Sequence, residues 1–420
     1  MFWLTVVALF VVKPEPGPVS VSAADRERAA ALVVALASDS FLERDQAQRD
    51  LWSMGRHSLP ALRTAIGTDP DPEVRRRCEL LLPRAEALDF ESRMTAFLAD
   101  PEEKFHHVVP GWDKFRALVG NEPAGREFYV EMLRSKDNRP LLESIDLRDQ
   151  NPTPPIVDAA LVGPLAFVSQ PKRGALAQKL VNRKQELYQK MNPRGFNGRS
   201  SYENRYEPTP EDAATILFCD ALQGDSGAAV VVGVRVATPS LLMGRSRARS
   251  ALESERSGPV VKKLLLAWFD SRTSGAGLYQ AVSLVQSLSF KEGLKYAGKL
   301  VALDGAIPTY RATAVIAIAK LGDKDDAKYL VPALTDTALV RNFAGGTGEI
   351  QLRDVALAQA ANLTGHGPEV FGMRGQNTGD YARYYYWNYS FPSDEAREKG
   401  FAKWAELEPT LKPLEVKKAP

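Results

Sequence analysis

A chain of 420 residues with 44% hydrophobic and 25% charged residues can bury a substantial core, which excludes disorder over most of its length. Lys and Arg number 54 against 52 Asp and Glu, a formal charge of +2. The totals therefore lack the basic excess of a general polyanion binder, and no nucleic-acid partner is expected, although totals do not decide local clusters.

The chain opens on an apolar run, Met1 to Val12, too short for the roughly 20 residues that a membrane-spanning helix needs. It matches the core of a secretion signal, with small residues at Val21-Ser22-Ala23 where a signal peptidase cuts. Residues 1–23 are accordingly read as a signal peptide, the protein as exported (periplasm, envelope or secreted), and the mature chain as lacking a transmembrane span. No Lys or Arg precedes the run, and Lys13 to Pro18 separates it from the cut.

Helical spacing dominates the rest of the chain. Ala47, Leu51 and Met54 form one stripe that stops at Gly55; Leu59, Leu62 and Ile66 form the next. Val74, Cys78 and Leu81, then Phe90, Met94 and Phe97, continue it, with Asp69-Pro-Asp-Pro72 as a break. Thr209-Pro-Glu-Asp212 is a strong helix start: a hydroxyl cap, a first-turn proline and acidic residues facing the helix dipole. In the second half the stripes are Val261/Leu264/Trp268, Leu278/Val282/Val285/Leu288, Leu294/Ala297/Val301, Ala312/Val315/Ala319, Leu330/Ala333/Leu334 and Ala356/Ala360/Leu363. Short amphipathic helices must hide their apolar stripes against neighbours, the logic of a helical solenoid. The two cysteines, Cys78 and Cys219, sit on such stripes and read as buried free thiols.

The run Arg49-Asp-Leu-Trp-Ser-Met-Gly55, Leu59-Pro-Ala-Leu62 and Asp71-Pro-Glu-Val-Arg-Arg-Arg-Cys78 resembles a HEAT-repeat junction. Ile350-Gln-Leu-Arg-Asp-Val-Ala356 resembles its opening motif again, and Ala317 to Gly322 the end of an A helix. The likeness is carried by about residues 40–85 and 305–365 and extends over 259–304; residues 100–255 depart from it and are helical by periodicity only. It implies an all-α fold, an α-solenoid of antiparallel helix pairs of the HEAT/armadillo kind. It also implies that Asp71, Arg75 and Arg353 link successive repeats. The arrangement is similar to exported HEAT-like proteins of planctomycete bacteria, a group without a settled activity. The domain organisation read from these features is signal 1–23, N-terminal repeats 24–110, a divergent helical region 111–255, C-terminal repeats 256–365, and an aromatic cap, last helix and disordered tail 366–420.

Three stretches interrupt the helices: the Gly/Asn/Arg-rich loop from Asn192 to Pro208, the β-branched run Ala229–Val236, read as an extended linker rather than a strand, and the irregular Gly365–Phe391 before a helix around Glu395–Glu408.

Catalytic motifs do not survive their context. Gly224-Asp-Ser-Gly227 has the core of a trypsin-like nucleophile loop, but Ala228-Ala229 come after it and the surroundings are helical, so it reads as a turn. Gly293-Leu-Lys-Tyr-Ala-Gly298-Lys299 has P-loop spacing, but Leu300 replaces the hydroxyl that binds magnesium. Gly345-Gly-Thr-Gly348 reads as a turn. His106 and His107 are adjacent and point apart on a helix, so no metal or other cofactor is expected and no residue is assigned catalysis.

Two clusters are candidate binding residues. The first is Tyr381-Ala-Arg-Tyr-Tyr-Tyr-Trp-Asn-Tyr-Ser-Phe391, with Tyr381, Tyr384, Tyr385, Tyr386, Trp387 and Tyr389 offering large contact area with polar tips. It serves either to seal the apolar end of a solenoid or to touch a ligand. The second is Arg245 and Arg249, on one helical face, with Arg256, Lys262 and Lys263: a solvated face, or a site for an acidic protein or glycan. The expected function is a non-catalytic interaction scaffold, its partner a protein. The alternative is a HEAT-like enzyme: a DNA glycosylase, which requires a basic groove, or a bilin lyase, which requires a chromophore.

Overall fold

The computed structural model describes residues 19–147, 175–192, 206–226, 238–342, 349–377, 379 and 381–411. The apolar N-terminal run, most of the Asn192–Pro208 loop, Ala229–Val236, Gly345–Gly348 and the C-terminal tail beyond Leu411 lie outside the described residues. The described chain is predominantly helical, and it divides into two compact units, Met1–Trp112 with Asn121–Val130, and Asp113–Gly120 with Glu131–Pro420.

In the first unit, α1 (Ala23–Ala35), α2 (Phe41–Met54), α3 (Leu59–Thr68) and α4 (Pro72–Ala99) bury one another's stripes. Three of the four starts are written in a side chain: for α1, α2 and α4, Ser22, Ser40 and Asp71 accept the N–H of Asp25, Glu43 and Glu73. Ala29, Leu36, Leu51, Leu62, Val74 and Cys78 anchor the shared core. Gly55 ends α2 at φ +54°, and a Cβ there would run into Leu88 Cδ1.

The stripes Val74–Leu81 and Phe90–Phe97 belong to one helix of 28 residues that passes through Pro83, because its buried face is continuous from Val74 to Phe97. One expectation is corrected by the first unit. Asp71 and Arg75 do not link repeats. Asp71 caps its own helix, and Arg75 Nη1 returns to the carbonyls of Asp69 and Pro70, 2.6 and 3.0 Å away.

Next along the chain are α5 (Trp112–Val119), α6 (Pro123–Arg134), α7 (Arg139–Glu143), α8 (Ala175–Met191), α9 (Pro210–Gln223), α10 (Pro239–Met243), α11 (Ser246–Glu253) and α12 (Gly258–Asp270). Thr209 and Asp212 form the capping box that starts α9. Then come α13 (Gly275–Leu288), α14 (Leu294–Val301), α15 (Pro308–Leu321), α16 (Leu352–Thr364) and α17 (Asp394–Leu407). From α13 to α16 successive helices pack against one another. Thus α13 meets α14 and α15, and α15 meets α16, while the stretch Lys324–Ala333 lies on α14, α15 and α16. That stretch is 3-10 rather than α-helical; Pro332 lies inside it and has no N–H to give.

The chain is not purely helical. Strand β1 (Leu339–Asn342) pairs antiparallel with β2 (Glu349–Gln351), and β3 (Arg374–Gly375) with β4 (Tyr389–Ser390). The Arg353 side chain, on α16, lies on Gln351 Oε1 at 2.7 Å and the ring of Phe401, while its N–H donates to the carbonyl of Asp336 at 2.9 Å, so the tie to the preceding segment is made by backbone rather than by the guanidinium. Among the described residues no helix is long and apolar enough to cross a membrane.

Candidate functional site

The aromatic segment is held from beneath by polar ties. Asn388 is 1% exposed; its Oδ1 accepts the backbone N–H of Asn377 at 2.9 Å, and its carbonyl accepts that of Gln376 at 2.8 Å. Gln359, buried on α16, donates to the carbonyl of Arg383 at 2.7 Å. The β3–β4 pair closes the base of the loop: Arg374 faces Ser390 and Gly375 faces Tyr389. Beneath it Phe371 meets Trp404 edge-on at 5.5 Å, and Phe391 leans on Phe401.

On this base stands an aromatic stack. Tyr385 and Trp387 lie face to face, centroids 4.9 Å apart and planes 3° from parallel, across a turn closed by the Asn388 N–H on the carbonyl of Tyr385 at 2.9 Å. Tyr386 meets Trp387 edge-on at 4.7 Å. The Arg341 guanidinium sits 5.2 Å from the Trp387 ring centre, and that of Arg383 4.9 Å from Tyr384. Tyr381 is 80% exposed and Tyr385 43%. Tyr389 is half-buried, and burial, reinforced by the charge of Glu369, pushes its phenol above the usual range.

The structure thus brings Tyr384, Tyr385, Tyr386, Trp387 and Tyr389 together, and adds Arg341, Gln359, Arg374 and Asn377, which sequence reasoning missed. Arg341 comes from β1, Gln359 from α16, and Arg374 and Asn377 from β3 and just after it, and no spacing along the chain marks them as neighbours of the aromatic run. Covering and display are divided between residues: Phe371, Phe391 and Trp404 cover, while Tyr381 and Tyr385 stand open.

The basic cluster is less organised. Arg245 is the extended cap residue before α11, not part of the helix, so it shares no helical face with the exposed Arg249. Between them the N–H of Arg247 donates to Glu207 at 3.1 Å. Lys263 is turned away, its Nζ on the carbonyl of Val119 at 2.7 Å.

The rejected motifs acquire structural roles. Asp225 Oδ2 accepts from Thr273 N, Thr273 Oγ1 and Ser274 N at 3.0, 2.6 and 2.6 Å, clamping the start of α13. A Cβ on Gly277 would collide with its other oxygen. The two glycines of the phosphate-loop look-alike are packing glycines, Gly293 against Val285 and Gly298 against the Tyr329 ring. His107 Nε2 lies 2.9 Å from Asp100 Oδ2, which with Oδ1 also takes the N–H groups of Phe105 and Lys104. Burial opposes ionisation of Asp100, but these bonds outweigh it and hold the carboxyl below the ordinary range. Among the described residues no group of three or more His, Cys, Asp or Glu is arranged to hold a metal ion.

Sequence reading also missed the buried charges of the second unit. Lys184 Nζ lies 2.6 Å from Asp220 Oδ1, the Trp268 indole donates to Asp220 Oδ2 at 3.0 Å, and Arg272 reaches the Asp220 carbonyl at 2.7 Å. Arg183 bonds Asp212 at 2.7 Å and Asn138 at 3.2 Å, and the Tyr206 hydroxyl donates to Asp212. A signal was present: Arg183 and Lys184 fall on the stripe of Leu176, Leu180, Leu187 and Met191, where cations are out of place unless paired. Both carboxylate oxygens of Asp220 are taken by donors, so this cluster joins α8, α9 and α12 and offers no open acid or base.

No protein-family model, no curated protein and no solved structure matches the chain.

Proposed function

We propose that the protein is a non-catalytic binding module, an α-solenoid of HEAT-like helix pairs that presents the Tyr381–Tyr389 segment to its partner. The observation that carries the reading is the Tyr385–Trp387 stack: a half-open Tyr385 ring backed by Trp387 and fixed on a framework of buried polar ties. Aromatic rings with few rotatable bonds lose little entropy on binding, which suits a contact surface.

The solenoid reading draws on two features. One is the successive packing of α13, α14, α15 and α16, with α13 also on α15. The other is a repeated helix start. Arg44 Nη1 donates to the carbonyls of Ser38 and Asp39, as Arg75 Nη1 does to those of Asp69 and Pro70. The two arginines lie roughly 31 residues apart, within the ~20–45 residues of solenoid repeats.

Export belongs to the same proposal. A cut after Ala23 would remove the Ser22 cap of α1, a loss of about 1 kcal/mol that the burial of Ala29 and Val33 offsets. Amino-terminal sequencing tests it, and a chain retaining Met1 in the cytosol ends it.

For the binding role, wild-type and Tyr385→Ala/Trp387→Ala proteins are used to capture partners from native envelope extract. The reading expects bound material, protein or glycan, that the double variant loses while keeping its helical circular dichroism. Identical capture by both would overturn it.

A further inference from the structure

Resting on that reading, we propose that the platform's ligand is an acidic polysaccharide, a chain bearing sugar carboxylates. Three observations point to this chemistry. The Tyr385 ring is stacked on Trp387 and 43% exposed, a flat support rather than a recess, suited to the C–H face of a sugar ring. A protein partner ordinarily seats an anchoring side chain in a pocket.

The hydroxyls of Tyr381, Tyr384, Tyr385 and Tyr386 make no hydrogen bond to other described residues. Each phenol can donate and accept, which matches the dual capacity of sugar hydroxyls at a ring's rim.

The third observation is charge. Guanidinium groups of Arg341 and Arg383 ride on the rings of Trp387 and Tyr384, and Arg374 is exposed on β3, opposite Ser390. Stacking pre-orients a guanidinium's planar fork, the geometry that takes a carboxylate by two hydrogen bonds. The chain's overall +2 does not bear on this, since the charge that matters is local.

The test is affinity electrophoresis and titration calorimetry on the full chain with polygalacturonate. Fully methyl-esterified polygalacturonate, a neutral dextran and poly-L-glutamate are the comparison probes. Retardation by polygalacturonate is expected, weakened by salt and by esterification, and absent with dextran and poly-L-glutamate. Tyr385→Ala and Arg341→Gln/Arg383→Gln should each weaken binding about tenfold or more. Tyr385 is exposed enough that its variant should keep the wild-type dichroism, and Tyr385→Phe should keep the stacking and most of the affinity. No retardation of wild type, equal binding of poly-L-glutamate, or full affinity in the platform variants would each overturn the proposal. If polygalacturonate fails while envelope capture still depends on Tyr385 and Trp387, the ligand assignment falls and the binding role stands.

Discussion

Arg397 offers the sharpest test of how the platform's base is held. It projects from α17 into a site where Asp354, on α16, is fully buried, and donates to both its oxygens at 2.9 and 3.2 Å and to the carbonyl of Glu349 at 3.2 Å. Burial pushes the Asp354 carboxyl above its ordinary value, against the pull of the Gln351 N–H and of Arg397. Removing one member and removing both should then differ widely. Arg397→Leu strands a buried carboxylate with one N–H donor, a loss of ~3–5 kcal/mol. Replacing both residues by Leu loses chiefly the cap at the start of α16, about 1 kcal/mol. The assay is hydrogen exchange of the α17 amides. At tenfold per ~1.4 kcal/mol, the single variant should exchange about a hundredfold faster or more, and the double within about tenfold of wild type. A single variant as well protected as the double would show that the charge pair is not what joins α17 to α16.

Acidification should weaken the second unit through Asp137 and Glu186. Lys190's hydrogen bond leads in holding Asp137 low, while at Glu186 bonds from Lys190 and Arg183 outweigh burial. Depressed carboxylates stabilise above their unfolded values and lose that contribution as pH falls through the folded ones, so stability should drop below about pH 4. In thermal melts Lys190→Met should flatten this acid limb, and an unchanged limb would refute the assignment. Burial pushes the Cys78 thiol up to about 11. Native protein at pH 8 should therefore react with a thiol reagent far more slowly at Cys78 than unfolded protein does; equal rates would refute the burial argument. Gly277→Ala drives a Cβ into Asp225 Oδ1 and should cost about 1–3 kcal/mol by denaturant titration. Asp225→Ala should relieve most of that collision, and additive losses in the double variant would place the strain elsewhere.

Much of the helical framework is legible because its signals are local. Caps at Ser40, Asp71 and Thr209 and stripes such as Leu278–Val285 sit within a few residues of the structure they specify. The continuity of α4 through Pro83 is not local: it depends on what its buried face meets on both sides of the proline. The site divides the same way. The density of aromatics from Tyr381 marks the segment, but the parallel stack depends on the turn at Ala382–Tyr384 and on pairing with β3. The apolar stripe of α8 marks Arg183 and Lys184 as anomalous without saying that Asp212 and Asp220 answer them.

The orientation of the platform depends on a tie that touches no exposed ring. Gln359 lies on an apolar face of α16 between Ala358 and Ala360, and its amide is spent on the carbonyl of Arg383. Without that bond the turn carrying Tyr384 and Tyr385 would keep only its own backbone bonds, the Asn388 ties and the strand pair, and the carbonyl would turn to water. Gln359→Leu keeps the volume and removes the donor, so α16 should remain helical with its core intact. The amides of residues 381–388 should then exchange roughly tenfold faster, while those of α13 to α15 stay unchanged. Binding to the platform should weaken with them, because a ring that must be re-ordered on contact forfeits part of the contact's free energy. Unaltered exchange across 381–388 would mean that the strand pair and Asn388 alone fix the segment, and that Gln359 merely satisfies itself.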